Sequence, residues 1–267
     1  MAEPKVRAEL RADLAAEQES IDAQVAGLDD AAWDRPSPAE GWSVKDQISH
    51  LASVDEWAIT AASDPAAFTA WVAGFGPDPD GEAVVNQPVE RARAMAGAQV
   101  LTWWRQGRAR LFEVVDGLDP DVRVPWFGPP MSVPMLLTAR LMETWAHGED
   151  VAEALGATRA PTGRLRHVAH LGVRTRAYSY ATRGRAVPPG DVRVELDGPG
   201  GERWTWGGEG AADRVSGPAL DFCLVVVRRR HPSDTALVVE GPNAAEWLSI
   251  AQAFAGAAGK DPVPRSA

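Results

Sequence analysis

Residues 39–57 read AEGWSVKDQISHLASVDEW, and the rest of the chain is most easily placed from this stretch. Gly41 ends a loop containing Pro36 and Pro38. Ser43 stands three residues before Asp46, the spacing at which a hydroxyl and a carboxylate cap a first helical turn reciprocally. A helix is therefore expected over about Val44–Ala62. His50 falls near its middle, surrounded by Ile48, Leu51 and Val54, so a titratable ring sits among residues that seek a core.

Toward the N-terminus, Leu10, Leu14, Ile21, Val25 and Leu28 recur near helical spacing among charged residues, predicting an amphipathic helix over about Val6–Leu28. Downstream, Asp64–Gly81 is rich in Gly, Pro and Asp and reads as a connector. A third helix is expected over about Pro88–Leu118, carrying Met95, Val100, Trp103, Trp104, Leu111, Phe112 and Val115. The run DPDVRVPWFGPPM reads as a loop, after which Ser132 caps a helix over about Val133–Leu155 that Gly156 stops. Four helices thus account for the first 156 residues.

A fifth helical segment, about Gly163–Arg183, leads to Pro188, Pro189 and Gly190, where the composition changes; the division is set there, giving domains 1–185 and 186–267. DVRVEL and ERWTW alternate like strands around DGPGG, a hairpin signal, and TALVVEG is a further strand before a helix over about Asn243–Ala257. Gly217–Arg229 fits helix or strand by pattern.

Composition narrows the function. Asp plus Glu number 37 against 27 Lys plus Arg, and the net charge of -10 opposes attraction to nucleic acid or anionic lipid. No stretch approaches the roughly 18 apolar residues of a membrane span, and the N-terminus lacks a signal peptide's apolar core, so a cytoplasmic protein is expected. Cys223 is the single cysteine, which excludes an intrachain disulfide and a multi-cysteine metal site. Its neighbours Phe222 and Leu224–Val227 predict a buried, inert thiol, so chemistry that needs a thiol must draw it from outside.

Glu143 and His147 are four residues apart on the fourth predicted helix and project from one face. An antiparallel bundle brings the His50 helix against them. Two imidazoles and a carboxylate then form a three-ligand site suited to zinc, with nickel, iron and cobalt accepting the same set and one position left open. By pattern alone, a Glu–His pair at this spacing is more often a surface pair than a metal site, and a core histidine usually just satisfies a hydrogen bond.

AEGWSVKDQISHLASVDEW resembles the second helix of the DinB-like superfamily, in which Gly-Trp-Ser/Thr precedes a metal-binding histidine. LMETWAHGEDVAEALG, residues 141–156, is similar to the second ligand segment of its mycothiol-dependent maleylpyruvate isomerase branch, whose ligands are His, Glu and His. The resemblance implies His50, Glu143 and His147 as metal ligands. It also implies an α+β protein: a DinB-like four-helix bundle followed by a small α/β domain resembling the sterol-carrier-protein fold. The arginine-rich basic set, 24 Arg to 3 Lys, fits a GC-rich actinobacterial source.

Other candidates gather around that ligand set. Asp150, three residues after His147, is placed to orient an imidazole or act as a base. Trp42 and Trp145, with Trp57, are candidates for an apolar wall against a bound thiol cosubstrate. The resemblance also implies a second-domain arginine at the active site, for which Arg228, taken first, Arg229 and Arg230 all stand as candidates beside a structural role as snorkelling or ion-paired side chains at an element end. His167 and His170 read as structural. The expected function is a metal-dependent enzyme that activates a low-molecular-weight thiol, mycothiol, for S-transfer to or isomerisation of a small electrophile, acting as a monomer or homodimer. Two alternatives stand beside it: a metal-dependent hydrolase that activates water, and a non-enzymatic metal-stabilised ligand-binding protein.

Overall fold

Four long amphipathic segments in the first 155 residues bury their apolar stripes against one another, because none of the stripes is stable in water alone. The computed structural model describes residues 3–76 and 81–265. In it these segments are α1 (Glu3–Val25), α3 (Val44–Ser63), α6 (Gly97–Asp116) and α7 (Val133–Leu155), with the short α2 (Asp30–Trp33) between the first two. Helix α3 packs on α6 and α7, and α1 on α7 and α6, forming the expected four-helix bundle. Its core joins Ile21 and Val25 of α1, Ile48 and Leu51 of α3, Val100 and Trp104 of α6, and Val151 of α7.

The ends of the two helices that carry the proposed ligands are fixed locally. At α3 the Ser43 N–H donates to Asp46 Oδ2 over 2.8 Å, and the Asp46 N–H donates to Ser43 Oγ over 3.2 Å. This is the reciprocal cap the sequence predicts. Ser132 Oγ accepts from the Met135 N–H at the start of α7, and Gly156 ends the helix at φ 68°, a conformation in which a Cβ would be strained.

Three features before Val133 depart from the sequence reading. The connector 64–81 contains α4 (Pro65–Ala73), nucleated by Asp64, whose side chain accepts from the Ala67 N–H, with Pro65 at the first helical position. Residues 77–80 of that connector lie outside the described residues. The expected third helix is two, α5 (Gly81–Ala92) and α6, separated by a turn in which the Ala96 N–H is satisfied by the Gln99 side chain. The 119–131 loop holds a two-residue antiparallel pairing of β1 (Arg123–Val124) with β2 (Met131–Ser132). No helix among the described residues is long and apolar enough to cross a membrane.

The chain folds as two compact units, Met1–Arg159 and Ala160–Ala267. The second unit begins with α8 (Leu165–Arg174) and α9 (Arg176–Ala181), one expected helix broken at Thr175. A mixed sheet follows, of β3 (Val192–Asp197), β4 (Arg203–Trp206), β5 (Asp213–Pro218) and β6 (Val238–Glu240), in the order β4-β3-β5-β6. Strands β3 and β4 form the predicted hairpin, while β5 pairs parallel to β3. Gly217–Arg229 resolves mainly as α10 (Ala219–Val226), and the last helix, α11 (Pro242–Ile250), is shorter than predicted. Helix α8 packs on α10, and α9 on α11. The sequence reading put residues 160–185 with the bundle; these packing partners group them with the α/β unit instead, and Pro188–Gly190 is a loop inside that unit.

Candidate metal centre

Helix α3 is flanked by α4, α5, α6 and α7, so even its polar residues from Asp46 to Asp55 are buried and each needs a partner. Most find one. Ser49 Oγ donates to the Asp46 carbonyl, Ser53 Oγ to the Ser49 carbonyl, and Asp55 accepts from the Arg140 guanidinium over 2.9 Å. On His50, as on Asp55 with its second carboxylate oxygen, a buried polar atom is left over: the His50 Nδ1 makes no hydrogen bond. The ring instead faces α7, with Nε2 3.7 Å from Glu143 Oε2.

His147, one turn beyond Glu143, places its own Nε2 3.3 Å from the same carboxylate oxygen. The two imidazole centroids are 4.5 Å apart. One potential ligand atom from each of His50, Glu143 and His147 lies within 4.8 Å of the others. Both nitrogen–oxygen separations exceed an ordinary hydrogen bond. They bracket the roughly 3.4 Å expected between neighbouring ligand atoms around a tetrahedral ion with bonds of about 2.1 Å. Two imidazoles and a carboxylate are also a donor set that zinc and its neighbours accept, so the residues fit such an ion.

The protonation states suit the same role. Burial, reinforced by His147 and opposed by Glu143, pushes His50 down from 6.5 to about 4, so the ring is neutral near neutral pH. Burial alone would raise Glu143, but the His147 and His50 rings hold its carboxyl well below the usual range. The metal-free protein should therefore lose stability in acid. For His50 the folded value is below the unfolded one, so between pH 6.5 and about 4 the unfolded chain binds more protons and stability drains away as pH falls. Glu143, also depressed, adds in the same direction at lower pH. Urea midpoints of metal-free protein should fall across that window, and the slope should shrink in His50→Gln; an unchanged slope in that variant would contradict the assignment.

Of the other candidates, Trp42 reaches the ligands. Its ring lies 5.2 Å from the His50 centroid and 6.1 Å from that of His147, stacked on the latter, while its indole N–H donates to Asn86 Oδ1 of α5 over 3.1 Å. Trp145 is buried with no ring contact to either imidazole, and its carbonyl accepts from Arg159. Trp57 belongs to a separate aromatic cluster with Trp71 and Phe127. Asp150 Oδ2 is 3.9 Å from His147 Nδ1, too far to accept its proton. The sequence reading missed the group that does contact that nitrogen: Gln47 Oε1, at 2.5 Å. A buried amide one turn before His50 was the available signal.

Arg228, in the second unit, binds the Ala251 and Lys260 carbonyls and Asp261, so its guanidinium ties down the segment after α11. Cys223 is fully buried, its thiol facing the Leu165 carbonyl. His170 accepts from the Trp206 indole, a structural role.

Fold and site together define a class: a helical-bundle protein with a convergent histidine–glutamate–histidine cluster, joined in sequence to a small α/β unit. Residues 14–152 match the model of the mycothiol maleylpyruvate isomerase N-terminal domain. The chain belongs to that family, within the DinB-like superfamily. It is 45% identical over 249 residues to uncharacterized proteins from two strains of Mycobacterium tuberculosis, covering 93% of this chain and 96% of theirs. Crystal structures of a mycothiol-dependent maleylpyruvate isomerase and of its histidine-to-alanine variant superpose with TM-scores of 0.58 and 0.59. Each is 17% identical and covers 89% of this chain and 95% of its own, and the likeness shows a shared fold.

Proposed function

We propose that this protein is a metal-dependent enzyme that activates an external low-molecular-weight thiol, mycothiol, for addition to a small electrophile. The convergence of His50, Glu143 and His147 carries the reading. Family membership supports the choice of thiol, and the mycothiol-dependent isomerase of the same fold supports the reaction class. A zinc-like ion held by these three side chains would supply a Lewis acid that lowers the pKa of a thiol near it.

The chain's own residues do the rest. Neutral His50 and ionised Glu143 are already in their ligating protonation states, so binding an ion costs these two little proton loss. The indole of Trp42 covers one side of the two imidazoles and keeps bulk water from them. Cys223, fully buried in the other unit, is not available as a nucleophile, which supports an external thiol. The thiolate sulfur forms a bond to the β carbon of an enone or unsaturated keto acid as the C=C π bond breaks and its electron pair moves onto the carbonyl oxygen as an enolate. Isomerisation follows if rotation and re-expulsion of the same thiolate restore the double bond, whereas S-transfer stops at the protonated adduct.

Metal-loaded protein incubated with mycothiol and a panel of such electrophiles gives the test. The expected result is product formation that needs both metal and thiol and disappears with chelator. Ester or amide turnover without thiol would replace this reading with hydrolysis, and stoichiometric capture without turnover would replace it with ligand binding.

A further inference from the structure

Whether His147 can offer a lone pair from Nε2 depends on where its proton sits, and a chain of hydrogen bonds leading away from the ring, buried at the imidazole and partly buried beyond it, decides this. The chain begins at a group with no freedom. The Trp42 carbonyl can only accept, and it takes the Ser37 N–H over 2.7 Å and the Ser37 hydroxyl over 2.9 Å. The Ser37 hydroxyl, donating to that carbonyl, accepts from the Gln47 amide nitrogen 2.8 Å away. The amide thus turns its NH2 toward Ser37 and its Oε1 toward His147. Oε1 is again only an acceptor, 2.5 Å from His147 Nδ1, so that nitrogen carries the proton.

We propose that Gln47 is a positioning residue that holds His147 as the Nδ1–H tautomer, leaving the Nε2 lone pair directed at the space shared with His50 and Glu143. The inference rests on the metal-centre reading for its purpose, though not for its geometry. Without this relay nothing would hold the proton on Nδ1, and the ring would be free to turn a proton from Nε2 toward the ligand position, where Glu143 Oε2 lies 3.3 Å away. Asp150, the candidate from spacing, sits 3.9 Å from Nδ1 and does not compete.

The relay also explains the form of the loop before α3. Pro36 and Ser43 pair as an isolated antiparallel bridge, closing residues 37–42 into a tight turn that places the Trp42 carbonyl over Ser37. The same residue whose carbonyl anchors the relay lays its indole against both ligand imidazoles. One short turn thus sets the tautomer of a ligand and shields its ring.

Long-range 1H–15N spectra of the metal-free full chain report the tautomer of each histidine, with zinc affinity measured by chelator competition as a second readout. For the wild type, His147 should appear as Nδ1–H. Gln47→Leu should shift it toward Nε2–H and weaken zinc binding about 10- to 100-fold. Gln47→Glu keeps an acceptor on Nδ1 and should preserve both the tautomer and the affinity. Ser37→Ala, a milder change outside the bundle helices, should release the amide to flip and give a mixture of tautomers. Nε2–H in the wild type, or a Gln47→Leu protein unchanged in tautomer and affinity, would overturn the proposal. Because the tautomer is read without metal, a wrong relay is distinguishable from a wrong metal centre, which would show as wild-type protein that binds no zinc.

Discussion

Replacing His50 or His147 with alanine should leave a folded protein that no longer retains one equivalent of divalent metal. Each change removes one of the three proposed protein ligands, and a site reduced to two loses affinity by several orders of magnitude. Folding should survive, because the bundle core is built from Ile21, Ile48, Leu51, Val100, Trp104 and Val151, none of which is altered. Metal analysis after dialysis against a weak chelator, with circular dichroism as the folding control, checks both halves. Stoichiometric metal in both variants would refute the ligand assignment whatever the reaction proves to be.

The second large effect is expected one layer away, at Asp55 and Arg140. These side chains, 0% and 1% exposed, form an ion pair across α3 and α7 with Nε to Oδ1 at 2.9 Å, and the guanidinium also reaches the Leu51 carbonyl. Breaking a buried pair from one side strands the other charge and costs about 3–5 kcal/mol. The two halves should not cost the same. Burial already pushes the Asp55 carboxyl up, against the pull of Arg140, so Asp55 left alone can take a proton and become neutral. Arg140 left alone cannot lose one. Asp55→Ala should therefore lower the denaturation midpoint more than Arg140→Met, and the double variant less than the sum of the two. Equal, additive losses would show that the pair is not coupled as the geometry indicates.

The convergence of His50, Glu143 and His147 was legible because each part leaves a short-range mark. Ser43 with Asp46 starts α3, Ser132 and Gly156 bracket α7, and the four-residue spacing of Glu143 and His147 puts both on one face. Antiparallel packing then pairs positions in order, Gln47 with His147, His50 with Glu143 and Asp55 with Arg140. What spacing cannot reveal is a contact between residues a hundred apart whose types are unremarkable. Gln47 and Arg140 each read as ordinary helix residues until the register of α3 against α7 is known. Asp150 shows the converse: its sequence distance from His147 suits a contact, but its carboxylate falls short of the nitrogen.

The division of the chain was misplaced for a related reason. The amphipathic segment after Gly163 looks like one more bundle helix, since periodicity reports that a face will be buried without naming its partner. Gly172 shows the actual partner: a Cβ there would lie 2.7 Å from Val226 of α10. Asp64–Pro65, taken as part of a connector, is itself a cap followed by a first-turn proline, so α4 was readable from chemistry that composition obscured.

The measurement that bears most directly on the central claim is anomalous diffraction from crystals of the zinc-loaded full-length protein, collected on both sides of the zinc edge. A single strong peak is expected where His50 Nε2, Glu143 Oε2 and His147 Nε2 converge, about 2.0–2.2 Å from each atom. No peak there, or one bound by other side chains, would contradict the account.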